Sequence, residues 1–152
     1  MTSINYRKVI DGFLSVVSSE DEEIGRIQKL IKCLDELAVC TNDVDYCFDE
    51  KDYAEPPDRD YIKFREYISK KFPSLGFYNI ALEISEELHK SSLSIGDAID
   101  DIVDIAQDLQ DVLWRFDNTS PDDALFYFEF TFRSHWGQHL RELQLYLHDL
   151  TQ

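Results

Sequence analysis

Apolar residues recur at helical spacing from the start of the chain. Tyr6, Val9, Ile10, Phe13, Leu14 and Val17 line one face of a helix expected from Ser3 to about Val17. Ser18 and Ser19 interrupt it. Ser19 followed three residues later by Glu22 matches a capping box, and the run Glu20 to Glu23 sets negative charge at the positive end of the next helix dipole. The stripe of that second helix is Ile24, Ile27, Leu30, Ile31, Leu34, Leu37 and Ala38, and it fades near Thr41 and Asn42. From Asp43 to Pro57 the periodicity gives way to acids and aromatics, which reads as a surface loop. A third helix is expected from Asp58 to Phe72, with Tyr61, Phe64, Tyr67, Ile68 and Phe72 inward and Pro73 as its stop. After a turn at Gly76, Tyr78 to His89 reads as a short helix carrying Ile80, Leu82, Ile84 and Leu88. Ser94 opens a fourth long segment from Ile95 to Phe116. Ser120-Pro121-Asp122-Asp123 opens the last, with Ser at the cap and Pro at the first helical position, running to Leu150. The short Asp117 to Ser120 connection pairs these two as an antiparallel hairpin.

The expected architecture is therefore an all-α, single-domain helical bundle of about five helices spanning 1–152, with an N-terminal helical pair over 3–42. Phe126, Tyr127 and Phe130 lie off the main stripe of the last helix, which makes its first half apolar nearly all round and marks it as the long, central one.

Composition narrows the function classes. With only Gly 5 and Pro 4 in 152 residues, Gly-rich phosphate loops have little material. A formal net charge of −16 excludes nonspecific binding to nucleic acid, which needs clustered cations, and suits a basic protein partner or a metal cation instead. Cys33, Cys40 and Cys47 are odd in number and include no C-x-x-C pair, so reduced thiols are expected. Asp11 and Gly12 break the one candidate signal-peptide run, and no apolar run is long enough to span a bilayer. These features read as a cytoplasmic protein without membrane association. The spaced acids Asp43, Asp45 and Asp49 lack the glycine and closing glutamate of a calcium loop, and read as solvated.

Two polar features stand out. On the wheel of the Ile95 to Phe116 segment, Asp97, Asp100, Asp101, Asp104, Asp108 and Asp111 occupy an arc of roughly 100° opposite the apolar half, with Arg115 at its far end. Aspartate is a mediocre helix former, and like charges one turn apart repel by a few tenths of a kcal/mol per pair, so a strip of this kind needs a reason. Either the cations of the third helix (Arg59, Lys63, Lys70, Lys71) neutralise it, or the acids are simply solvated, or the strip binds a basic partner or a divalent cation. Glu83-x-x-Glu86 ahead of Asp101-x-x-Asp104 also parallels the paired acidic helices of all-helical nucleotide pyrophosphohydrolases.

The second feature is His135 and His139, one helical turn apart inside the apolar stripe of the last helix, with Glu142 a turn further on. The string His135-Trp136-Gly137-Gln138-His139 lacks the glutamate that metalloproteases place after the first histidine. These residues are either core histidines with a hydrogen-bond partner such as Glu142, or metal ligands. A carboxylate partner would raise the imidazole pKa, whereas apolar burial or a metal would lower it. Gly137 inside a helix costs about 1 kcal/mol relative to Ala, which calls for close approach of another group.

Phe72-Pro73-Ser74-Leu75-Gly76-Phe77-Tyr78, Gly96-Asp97-Ala98-Ile99-Asp100-Asp101-Ile102 with Asp104 and Asp108, then Phe130, Phe132 and His135-Trp136-Gly137-Gln138-His139-Leu140 together resemble a family of small bacterial helical proteins classed as a domain of unknown function. The resemblance covers about the last two thirds of the chain, over 58–150, and leaves the first two helices aside. It implies a shared helical fold and carries no activity. The residues themselves favour a non-catalytic interaction or accessory module for a basic protein partner, without a cofactor. The alternative is a divalent-metal-binding bundle or metal-dependent hydrolase that uses the Asp strip or the His pair.

Overall fold

A computed structural model describes residues 3–152. Helix α1 (Tyr6–Val17) begins with the first residue of its stripe, where Asn5 caps the Lys8 amide, three residues later than the expected start at Ser3. Helix α2 (Glu23–Cys40) starts without a side-chain cap. The expected capping box does not form: Ser19 Oγ is buried without a hydrogen-bond partner, while Arg26 reaches back to the carbonyls of Ser19 and Asp21 and takes over that corner. Helix α3 (Tyr61–Lys71) is capped by Asp60, whose side chain accepts the Lys63 amide at 3.1 Å.

The segment expected as a short helix is a β-hairpin. Strands β1 (Phe77–Ala81) and β2 (Leu93–Asp97) pair antiparallel, Tyr78 opposite Gly96 and Ile80 opposite Ser94. Tyr78, Ile80, Leu82 and Ile84 alternate with polar or small residues, which is a period of two, and the first three are half-buried while Ile84 is exposed. Glu83 and Glu86 therefore lie beyond the strand in the connection, with Glu83 at φ 55°, so the parallel with paired acidic helices fails. The fold is mostly helical, as expected, and adds one small two-stranded sheet that the periodicity did not indicate.

Helix α4 (Ala98–Asn118) starts three residues later than expected because Ile95 belongs to β2; Asp97 caps it by accepting the Ile99 amide at 3.0 Å. Its inward face, with Ile102, Ile105 and Leu109 fully buried, meets α1, α3, α5 and α6, so α4 is the central helix, not the last one. The core includes Phe13, Leu30, Leu34, Phe72, Phe128 and Trp136. Helix α5 (Pro121–Thr131) opens on the expected Ser120 cap and leads directly through a π-helical turn (Phe132–Trp136) into α6 (Gly137–Leu150). Phe126, Tyr127 and Phe130 do not face a core. They cluster on the flank with Tyr46 and Phe48 of the segment between α2 and α3. That segment has no regular structure over 44–60 and is held by side chains: the Cys47 amide donates to Asp122 at 3.2 Å, and Asp49 accepts the hydroxyls of Tyr53 and Ser120. Asp49 is thus an anchor, whereas Asp43 and Asp45 are exposed.

The π turn explains Gly137. Its amide donates five residues back, to the Phe132 carbonyl, and a methyl group on its Cα would overlap that oxygen and come within 2.9 Å of the Phe132 ring. An ordinary helical glycine gains about 1 kcal/mol on replacement by alanine. Gly137→Ala is instead expected to lose about 1–3 kcal/mol by overpacking, measured by urea unfolding; a gain in stability would show that the turn relaxes to an ordinary α-helix. Among the described residues no helix is long and apolar enough to cross a membrane.

Candidate metal centre

Helix α4 and the final helix run antiparallel, and their polar rows meet: Asp101 faces His139 and Asp108 faces His135. Asp101, Asp104 and Asp108 repeat at three and four residues, so they share one face, and the two histidines at i,i+4 present a matching pair. His139 Nδ1 donates to Asp101 Oδ1 at 2.7 Å and His135 Nδ1 donates to Asp108 Oδ2 at 2.6 Å. These hydrogen bonds assign the Nδ1–H tautomer to both rings, which leaves the two Nε2 lone pairs free. Both Nε2 atoms approach the same carboxylate oxygen, Asp104 Oδ2, at 3.2 Å from His139 and 3.9 Å from His135. Donor atoms of Asp104, His135 and His139 all lie within 4.8 Å of one another. The rings stand nearly perpendicular, centroids 5.0 Å apart.

Burial and charge set the protonation of the group. Loss of water raises the carboxyl groups of Asp101, Asp104 and Asp108 above their ordinary range, and Asp104, with the Asp100 charge beside it, is pushed up to about 6. The hydrogen bond to Asp101 raises His139 despite partial burial. That direction is the one expected for a carboxylate partner, although the partner is Asp101 and not Glu142. Tyr78 donates its hydroxyl to the second oxygen of Asp101, and burial pushes that hydroxyl up, so it stays a donor.

The ends of the aspartate strip have other uses. Asp97 caps α4 and pairs with Arg65 at 2.6 Å; Asp111 pairs with Arg59 at 2.9 Å; Asp100 accepts the Tyr61 hydroxyl. Lys71 turns away to Glu20 at 3.0 Å. Cations from the third helix region thus neutralise only the ends, and the middle is left to the histidines. The strip is not an open acidic face: the Asp101 side chain is 3% exposed, Asp104 18% and Asp108 20%. His135, expected in the buried stripe, is 46% exposed and lies inside the π turn, where the extra residue breaks the regular α-helical register. Glu142 lies apart from the cluster and accepts Gln138 at 2.9 Å. Sequence reasoning missed Tyr78 and Tyr61 as donors to the carboxylates; Tyr78 was assigned to a helix, and no spacing rule links either tyrosine to α4.

Fold and site together define a helical bundle with two imidazoles and a carboxylate converging between antiparallel helices, each imidazole backed by its own carboxylate. The chain belongs to the family described as a domain of unknown function (DUF5063), whose model matches residues 4–152 and so takes in the first two helices as well. No curated protein matches it. Among solved structures it is similar to the crystal structure of protein BF1032 from Bacteroides fragilis, at 20% identity over 97% of this chain and 90% of that one, with a TM-score of 0.76, a likeness of fold.

Proposed function

We propose that this protein binds one divalent transition-metal ion through His135 Nε2, His139 Nε2 and the Asp104 carboxylate. The observation that carries this reading is the pairing of each Nδ1 with its own carboxylate, which turns both free lone pairs toward one Asp104 oxygen. Metal-ligating histidines are generally oriented in this way, since the outer carboxylate fixes the tautomer and raises ligand basicity. Two imidazoles and one carboxylate suit ions such as Zn²⁺ or Fe²⁺ and disfavour Mg²⁺ and Ca²⁺, which take oxygen donors. Three protein ligands leave coordination positions for water or an exogenous ligand, and the half-exposed His135 places them on the solvent side. The surrounding carboxylates supply the countercharge. A basic-partner role for the same strip is disfavoured because its central members are turned inward; the exposed acids elsewhere would have to serve.

The test is elemental analysis of protein purified without chelators, followed by calorimetric titration with Zn²⁺. Near-stoichiometric metal is expected, and His139→Asn and Asp104→Asn should each weaken binding at least 100-fold, as loss of one of three ligands implies. Metal-free protein that takes up no Zn²⁺, or variants that bind like the parent, would overturn the proposal.

A further inference from the structure

Resting on that metal-binding reading, we infer that Tyr78, on the β-hairpin, is a positioning residue for the metal: through Asp101 it sets the direction of His139 Nε2. Asp101 is 2% exposed and has two oxygens to satisfy. One accepts His139 Nδ1 and the other accepts the Tyr78 hydroxyl, so the carboxylate is held from both sides and cannot rotate without losing a buried hydrogen bond. His139 inherits that fixed orientation, and its opposite nitrogen lies 3.2 Å from Asp104.

Tyr78 is itself fixed by features that no helix needs. Its ring stacks on Tyr146 of α6, centroids 4.6 Å apart and planes within 16°. The Tyr146 hydroxyl accepts the Gly76 amide at 3.2 Å just before β1, and the Ala98 amide donates to the Gly76 carbonyl at 3.1 Å just after β2. The ring also lies against Gly96, its partner across the hairpin, where a Cβ would overlap Tyr78 Cζ and come within 2.7 Å of Ile80 Cδ1. Because the ring packs against both Tyr146 and Gly96, a side chain at Gly96 would displace it and move the hydroxyl from Asp101. The hairpin is small and its outer face, Phe77, Leu93 and Ile95, is exposed. Facing inward, Tyr78 supplies this donor and packs against the core, with Ile80 half-buried beside it. The three separated motifs that carry the family resemblance meet here, Tyr78 from the first, Gly96 and Asp101 from the second, His139 from the third.

The experiment compares the full chain, Tyr78→Phe, Asp101→Asn, the double variant and His139→Asn in Co²⁺ titrations followed by visible absorption, with Zn²⁺ competition for affinity. Phenylalanine keeps the ring and its stacking and removes only the donor. Tyr78→Phe is expected to weaken metal binding 10–100-fold and shift the Co²⁺ bands, with a metal-free circular dichroism spectrum like the parent's. In the Asp101→Asn background the same change should add little, because Tyr78 acts through that carboxylate. Parent-like affinity and bands for Tyr78→Phe, beside a large loss for His139→Asn, would overturn this inference and leave the metal reading standing. An undiminished Tyr78 effect in the Asp101→Asn background would overturn it too, by showing a general structural role. Absence of Co²⁺ binding by the parent protein would overturn the metal reading itself, and this inference with it.

Discussion

Arg115→Ala is expected to cost about 3–5 kcal/mol, the usual consequence of leaving a buried charge without its partner. Arg115 is 4% exposed at the last turns of α4. Its Nη1 donates to Asp123 Oδ2 at 3.1 Å, its Nη2 to Glu55 at 2.6 Å, and the guanidinium lies 3.4 Å from the Tyr127 ring centroid. Asp123 is itself buried at the start of α5 and, beyond Arg115, accepts only the Thr119 hydroxyl, at 2.8 Å. One side chain thus joins the α4–α5 corner to the irregular segment at Glu55. Truncation removes all three contacts and leaves the Asp123 carboxylate facing a void. In a domain of this size a loss of that magnitude lowers Tm by about 10 °C, which calorimetry would detect. Adding Asp123→Asn to Arg115→Ala should recover part of the loss, since the orphaned charge is then gone. A cost below about 1 kcal/mol would show that water replaces the guanidinium without penalty.

Metal-free protein is expected to lose stability as pH rises from about 4 to 8, opposite to ordinary acid denaturation. Four groups of the site act in the same direction. Asp104 has a folded pKa of about 6 against an unfolded value near 3.8. Its contribution is fully present below the unfolded value and is lost as pH rises through about 6. By the size of that shift the loss is on the order of 3 kcal/mol. His139 is raised above 6.5, so the stability it lends below 6.5 is lost as pH climbs through its folded value. Asp101 and Asp108, both raised by burial, add to the slope at its acidic end. A bound transition metal needs ionised Asp104 and unprotonated Nε2 atoms, so saturation with Zn²⁺ should flatten or reverse the trend. Tm measured from pH 4 to 8 in chelator, with and without Asp104→Asn, checks this. A parent protein that grows more stable over pH 4–6, or an Asp104→Asn variant with an unchanged slope there, would contradict it.

The helices whose apolar residues recur over three or more turns were legible in sequence, α1 and α2 from their stripes and the last from its Ser120-Pro121 opening. The hairpin was not, because Tyr78, Ile80, Leu82 and Ile84 fit a short helix or a strand, and what decides between them is the surface each meets. Tyr78 finds Tyr146 and Asp101. Ile84 is 78% exposed. The candidate site was half legible. The aspartates and histidines were visible as two rows, one on each of two helices expected to pair, but a wheel gives the angle of a residue on its own helix and not the neighbour that fills that angle. Glu142 is the carboxylate nearest to the histidines on their own helix, whereas the partner is Asp101 of another helix, and sequence nearness is a poor guide once helices pack.

Periodicity, capping residues and a short connection act within a few residues of each other, so the long helical segments, most of their apolar faces and the antiparallel return after Asp117 could be read from the chain alone. Packing turned the middle of the acidic strip toward the histidines while Arg65 and Arg59 take its ends. Packing likewise set a π turn at 132–136 around His135 and brought a tyrosine from a hairpin onto Asp101. These outcomes depend on desolvation and on distances between residues far apart in the chain, which no local pattern encodes.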